Sequence, residues 1–557
     1  MRGRSPVRRV CPLVTLGVFL IGHCAGTAPA QPLPTFENVA ERASIRFQPT
    51  FGDEDMTSIL EATGFGCAFL DYDGDGYLDI YFVNGHWLPG ISEDCHGDCP
   101  AKHATNVLYR NNGNGTFTDV TRQAAVGDTG YGMGVLVLDY DNDGHPDLYV
   151  TNYGRNTLYH NNGDGTFADV TLRAGVGDTL WSVGATALDY DNDGFLDIYV
   201  GNYLDFDPEY RLYYAADEFP GPLSYPGLPD RLYRNNGDGT FTDVTAQAKV
   251  RNTGRAMGVV AADYDGDGWV DIYVANDAME NYLYHNNGDG TFTECAVRAN
   301  VAFSESGNAT SSMGGDFGDY DNDGDFDLLV PDMGYKSLYE NEGNGRFRDV
   351  TFRTHLGLIS GQYISWGGAF LDFDHDGWLD IFLANGDAHR LSSQESILAR
   401  NVPDARGGRR YVDVWDKAGP YFRTKAVSRG MAVGDYDNDG DLDIVVVNLD
   451  KPAALLRNSG PLPGMHWLMV ALQGTHSNRD AIGAVVTARC AEDTFIRQRM
   501  VGNNYISVND PRLHFGLGRH ERVDELTVRW PSGMLQHLSN VRADQLIRIV
   551  EPRGPTP

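Results

Sequence analysis

Short β-rich segments alternate along this chain with clusters of Asp, Asn and Gly. Residues 134–139 and 147–151 show the unit, two strand-like runs flanking one acidic cluster, and the pattern predicts strand, tight loop, strand. The cluster has the form D-x-D-x-D-G-x-x-D and occurs seven times, starting at Asp71, Asp139, Asp189, Asp263, Asp319, Asp372 and Asp435. Starts lie 68, 50, 74, 56, 53 and 63 residues apart, so the repeat is a unit of roughly 50 residues with variable insertions. A second pattern follows in most units. Leu108-Tyr109-Arg110-Asn111-Asn112-Gly113-Asn114-Gly115-Thr116-Phe117-Thr118-Asp119-Val120 recurs at 158–170, 232–244, 283–294 and 338–350, with the composition of a tight hairpin turn between apolar arms.

Together these give four antiparallel strands per unit, and seven such units predict an all-β fold, a seven-bladed β-propeller over residues 31–460. The last unit has a third strand near 454–458 but then runs into Gly460-Pro461-Leu462-Pro463-Gly464. Its missing strand is expected at the other end of the chain, because Thr35-Phe36-Glu37-Asn38-Val39-Ala40 reads like Thr116-Phe117-Thr118-Asp119-Val120-Thr121. Strand 35–40 would close the ring and cover a sheet edge. From 461 to 557 the acidic loops stop and short alternating segments (467–472, 484–489, 495–501, 525–530, 545–550) predict a small β-sandwich behind a Pro/Gly linker.

The chain has 557 residues and a formal net charge of −33, from 77 Asp and Glu against 44 Lys and Arg. That excess argues against nucleic acid or an anionic membrane as partner. With 41% hydrophobic and 11% aromatic residues the chain is nevertheless expected to fold. Arg2, Arg4, Arg8 and Arg9, the apolar run 10–22 and Ala28-Pro29-Ala30 read as a signal peptide over residues 1–30. Lipidation at Cys24 and a twin-arginine signal at Arg8-Arg9 are the alternatives; no stretch is long enough to span a membrane. Export makes Cys95 and Cys99 the expected disulfide, with Cys95, His96, Cys99 and His103 as an alternative metal cluster.

Four carboxylates within nine residues suit Ca²⁺, which takes ~6–8 oxygen ligands. Positions 1, 3, 5 and 9 are Asp71, Asp73, Asp75, Asp79; Asp139, Asp141, Asp143, Asp147; Asp189, Asp191, Asp193, Asp197; and Asp263, Asp265, Asp267, Asp271. The remaining loops supply Asp319, Asp321, Asp323, Asp327; Asp372, Asp374, Asp376, Asp380; and Asp435, Asp437, Asp439, Asp443. Position 7 offers a backbone carbonyl, from Tyr77, His145, Phe195, Trp269, Asp325, Trp378 and Asp441. Position 12, where an EF-hand carries Glu, is apolar in every loop, so these are calcium loops between strands, about seven ions in all. The alternative, bare acidic turns, would store carboxylate repulsion seven times over.

The acidic loops and their following L-Y-x-N-x-G-x-G-x-F-x-D-V segments resemble the FG-GAP/VCBS repeats of the integrin α-type propeller. Asn478-Arg479-Asp480-Ala481-Ile482-Gly483-Ala484, Leu513-His514-Phe515-Gly516-Leu517-Gly518 and Val528-Arg529-Trp530-Pro531-Ser532-Gly533 resemble the ASPIC and UnbV domain. The pairing is similar to the cartilage acidic protein family with its bacterial relatives, and it implies a secreted calcium-binding propeller without a settled activity.

Strand parity puts the acidic loops and Asn-Gly turns on one face and every long insertion (84–105, 202–230, 300–311, 386–394) on the other, where binding is expected. Tyr203, Phe206, Tyr210, Tyr213, Tyr214, Phe219 and Tyr225 in the longest insertion suit an extracellular protein or glycan, or else pack the insertion onto the ring. Trp181, Trp366, Arg255 and Arg429 are candidates for the channel mouth, again with packing as the alternative. No G-x-S-x-G, H-E-x-x-H or P-loop is present. A binding or adhesion module is therefore expected, with an extracellular carbohydrate-active enzyme, lyase or hydrolase, as the second reading.

Overall fold

The computed structural model describes residues 33–92, 97–210, 212, 219–250 and 253–553. Residues 1–30, the expected signal peptide, lie outside them. Among the described residues the chain forms seven antiparallel sheets in succession, each of four strands, with a short fifth strand, Thr310–Ser311, added to the fourth sheet. The first is built from Cys67–Leu70, Asp79–Phe82, Val107–Asn111 and Phe117–Asp119. Its two inner strands are buried along their whole length, as expected of strands covered on both faces by neighbouring sheets. Each acidic loop joins the first and second strands of its sheet, and the innermost strands touch in cyclic order. This is a propeller-like, nearly all-β architecture.

The seventh sheet is completed by the N-terminus. Phe36–Asn38 pairs antiparallel with Ala454–Asn458, Phe36 opposite Asn458. Phe36 is buried, its ring 6.1 Å from Phe373 and 6.0 Å from Phe422. The segment then crosses to the first sheet, where Phe117 N–H donates to the Ala43 carbonyl (2.8 Å).

A second set of bonds runs round the whole ring. In every sheet an Asn of the third strand donates through Nδ2 to the carbonyl at loop position 2 of the preceding sheet. The pairs are Asn111 to Tyr436, Asn161 to Tyr72, Asn235 to Tyr140, Asn286 to Tyr190, Asn341 to Tyr264, Asn401 to Tyr320 and Asn458 to Phe373, at 2.7–2.9 Å. The first asparagine reaches the last sheet, so these bonds close on themselves. Each is buried, where a hydrogen bond left unmade is costly.

Beyond residue 465, Leu513–Gly518, His466–Gln473 and Gln545–Val550 form one sheet, and Asp493–Gln498, Val485–Cys490, Arg522–Arg529 and Leu535–Arg542 form another. Leu468, Val486, Phe515, Leu526 and Trp530 fill the core between them, giving the expected sandwich. It is not a module hung on a linker, however. Residues 499–512 leave the sandwich and enter the ring, where Tyr505 (0% exposed) and Ile506 (4%) join one hydrophobic cluster with Phe65, Met133, Val183, Met257, Met313 and Trp366. Val508 N–H donates to the Cys67 carbonyl (2.9 Å) and Phe69 N–H to the Val508 carbonyl (3.1 Å), so the plug pairs with an inner strand.

Glycine admits this plug. One stands five residues before every acidic loop: Gly66, Gly134, Gly184, Gly258, Gly314, Gly367 and Gly430. A Cβ on Gly66 would lie 1.8 Å from the Ile506 carbonyl oxygen, and one on Gly258 would lie 2.5 Å from Gly314 Cα. The inner strands converge closely only because these positions carry no side chain.

Candidate metal centres and the insertion face

The acidic loops share one hydrogen-bond scheme. In the first, Asp75 and Gly76 N–H donate to the Asp71 carboxylate (3.0 Å each), Tyr77 N–H donates to Asp75 Oδ1 (2.9 Å), and Asp79 accepts from Tyr72 (3.0 Å) and Asn111 (2.7 Å). Position 7 is thus held by position 5 in all seven loops, at Tyr77, His145, Phe195, Trp269, Asp325, Trp378 and Asp441. The tight path needs left-handed backbone at position 4, filled by Gly, Asn or His (Gly74 φ +74°, Asn142 φ +60°, His375 φ +60°), and at the position 6 glycine.

This scheme converges the carboxylates. Oxygens of Asp71, Asp73 and Asp79, of Asp139, Asp141 and Asp143, and of Asp189, Asp191 and Asp197 lie within 4.8 Å of one another in each group. Position 3 is left with an orphan: Oδ1 of Asp141, Asp191, Asp321 and Asp437 is buried without a hydrogen-bond partner. Burial pushes the Asp79 carboxyl up to about 8 and Asp189 to about 7; Asp139 rises to about 8 through burial and the nearby Asp480. An all-oxygen donor set with unpartnered buried atoms fits a hard divalent cation.

The raised values carry a pH signature. In chelator, carboxyls with folded values near 7–8 and unfolded values near 4 bind protons preferentially in the native state, so their contribution is fully present below about pH 4 and lost as pH rises through 7–8. Calcium would replace those protons. The rise in melting temperature from chelator to calcium is therefore expected to widen between about pH 5 and pH 8; a gap independent of pH would contradict it.

The loops differ in the third-strand side chain beside them, namely Arg110, His160, Arg234, His285, Glu340, Arg400 and Arg457. Arg400 donates to Asp374 (2.6 Å) and Asp376 (2.8 Å), and Arg457 to Asp437 (2.7 Å) and Asp439 (3.1 Å). Glu340 pairs instead with Arg348 and Arg353.

The sandwich packs onto this face. Asp139 N–H donates to Asp480 Oδ2 (2.8 Å), Arg479 N–H to Asn142 Oδ1 (2.8 Å), Arg529 to Asp263 Oδ2 (2.7 Å) and Arg512 to the Asp435 carbonyl (2.6 Å). The motif residues around 479, 512 and 529 therefore hold the sandwich against the acidic loops, a role their sequence did not disclose.

On the opposite face the insertion aromatics are corrected as an exposed surface. Tyr203 (1% exposed), Phe219 (2%) and Tyr225 (4%) belong to the central cluster, and Phe206 and Tyr210 pack half-buried against it. Phe206 lies 5.7 Å from Trp181 and 5.4 Å from Tyr225. Tyr213 and Tyr214 lie outside the described residues. What does stand out of this insertion is apolar: Leu212 is 77% and Leu223 74% exposed. Arg429 is fully buried, 3.9 Å over the Trp366 ring, and donates to the carbonyls of Ala62, Ser428 and Asp387. Trp181 and Trp366 are buried too, so these three pack the channel. An open cavity of about 700 Å³ on the same face is lined by Asp55, Met56, Thr57, Arg390, Leu391 and Ser392. Cys99 is disulfide-bonded, which removes it as a thiolate ligand for the alternative metal cluster, while Cys95 and His96 lie outside the described residues. Cys67, Cys295 and Cys490 are free and buried.

The ring and its acidic loops define a repeat class, and the family comparison agrees. The FG-GAP-like repeat matches residues 100–150, 139–200, 223–274, 263–330 and 319–383, and the ASPIC and UnbV domain matches 474–556. The chain is an FG-GAP-like repeat protein with a C-terminal ASPIC and UnbV domain, homologous to cartilage acidic protein 1. It is 26% identical over 335 residues to cartilage acidic protein 1 of Homo sapiens (58% of this chain, 48% of that one) and 26% over 331 residues to that of Mus musculus (58% and 49%). It spans about half the length of these curated relatives. Among solved structures, an Agrocybe aegerita lectin recognising non-reducing terminal N-acetylglucosamine is similar at 18% identity and TM-score 0.38, over 70% of this chain and 87% of that one. Among the described residues no helix is long and apolar enough to cross a membrane.

Proposed function

We propose that this protein is an exported, calcium-binding propeller whose insertion face is a binding or adhesion surface for an extracellular protein or glycan. The division of labour between the faces carries this reading. The sandwich packs onto the acidic-loop face and the channel is plugged, while the opposite face, with its variable insertions, open cavity and exposed Leu212 and Leu223, has room for a partner. Calcium would be held by the four carboxylates of each loop, supplying positive charge where the fold concentrates negative charge.

The enzyme reading calls for a basic side chain presented to substrate beside Tyr or His at the channel mouth. Arg429 instead spends its guanidinium on three carbonyls and a tryptophan face, which takes it out of that role. A glycan array and an extracellular-protein array, run in calcium and in chelator, test the proposal. A partner captured in calcium is expected to be lost, roughly tenfold or more, in the exposed-surface variant Leu212→Asp/Leu223→Asp/Arg390→Glu with unchanged melting. Capture unaffected by these changes would move the site off this face.

A further inference from the structure

We propose that the second and fourth acidic loops, those facing His160 and His285, are sites for a nitrogen-accepting first-row transition ion such as Mn²⁺, Co²⁺ or Zn²⁺ rather than for calcium. The inference rests on the reading of these loops as cation sites and separates two of them from the other five.

The donor sets differ first in chemistry. At this third-strand position four sheets carry Arg and one carries Glu already paired with two arginines; only His160 and His285 offer an imidazole nitrogen. Imidazole selects transition ions over the hard oxygen-seeking Ca²⁺. Geometry agrees. His160 Nδ1 lies 3.4 Å from Asp141 Oδ2 and 3.4 Å from Asp147 Oδ1; His285 Nδ1 lies 3.4 Å from Asp265 Oδ2 and 3.2 Å from Asp271 Oδ1. Ligands about 2.0–2.2 Å from one ion sit roughly 3.0–3.5 Å apart around a tetrahedral or octahedral centre, which is the separation seen here.

Unpartnered atoms at both sites point to a missing ligand. Nδ1 of each histidine is buried, nearly equidistant from two carboxylates at 3.2–3.4 Å, with no well-formed hydrogen bond to either. Asp271, 1% exposed, also has an orphan Oδ2, as Asp443 has in the seventh loop, whereas the corresponding atom in the first loop, Asp79 Oδ2, accepts from Tyr72 N–H. In the second loop the orphan is Asp141 Oδ1. The fourth site has an entry path as well, opening onto a cleft of about 520 Å³ lined by Tyr264, Arg298, Asn344 and Arg346 beside Asp265 and His285.

The test is a Co²⁺ titration of the full chain in excess calcium, followed by visible d–d absorption and by elemental analysis after gel filtration. About two Co²⁺ per chain are expected to remain, with a spectrum reporting nitrogen ligation. His160→Gln and His285→Gln should each remove about one ion, and the double variant should weaken Co²⁺ binding by roughly tenfold or more. Calcium-dependent melting of the double variant should stay unchanged, which also shows that it folds. Co²⁺ fully displaced by calcium, or bound equally by the double variant, overturns this inference while leaving the calcium reading intact. If neither ion is bound and neither raises the melting temperature, the loop reading itself fails.

Discussion

Removing residues 33–47 is expected to unfold or aggregate the whole propeller rather than trim it. The deletion takes away the fourth strand of the seventh sheet, leaving Ala454–Asn458 as a bare edge. It also breaks the bridge from that sheet to the first, including the Phe117 to Ala43 bond. A single change tests the packing part. Phe36 is buried between Phe373 and Phe422, so Phe36→Ala is expected to cost about 3–5 kcal/mol, read as a loss of melting temperature or of urea midpoint. Wild-type stability in the deletion would refute closure by the N-terminus.

Removing the sandwich is expected to be nearly as damaging, contrary to what the Pro/Gly linker suggests. Without residues 499–512 the apolar lining of the channel, including Phe65, Met133, Met257, Met313 and Trp366, would face water. Tyr505→Ala isolates this effect. The side chain is fully buried with its ring 5.3 Å from Trp366, and truncation should cost about 3–5 kcal/mol in the intact chain. The neighbouring Ile506 is held at φ +48°, an unfavourable backbone for a β-branched residue that its close surroundings enforce. A stable, monomeric chain ending at residue 464 would show that the plug is dispensable.

The acidic loops were legible because their chemistry is local, with four carboxylates and an obligatory glycine inside nine residues. Strand parity followed from loop spacing, and closure from the likeness of 35–40 to 116–121. Three features were not legible, for separate reasons. Asn111 and its counterparts read as turn residues, and nothing in a single repeat says that Nδ2 reaches the preceding sheet. The plug hides in a segment with no regular pattern; its signal lies elsewhere, in the glycines five residues before the loops, of which Gly66, Gly134, Gly314 and Gly430 lack the side chain that would meet it. Tyr203 and Tyr225 were ambiguous because a tyrosine suits a buried cluster as well as a wet interface, and burial decides between them only in three dimensions.

Calorimetric titration of the chelator-stripped full chain with calcium, followed by elemental analysis, tests the central claim most directly. Uptake of several ions per chain with a raised melting temperature, reduced by about one ion in Asp71→Ala/Asp73→Ala, is the expected result. No heat of binding, no retained calcium and an unchanged melting temperature would contradict the reading of the acidic loops as cation sites.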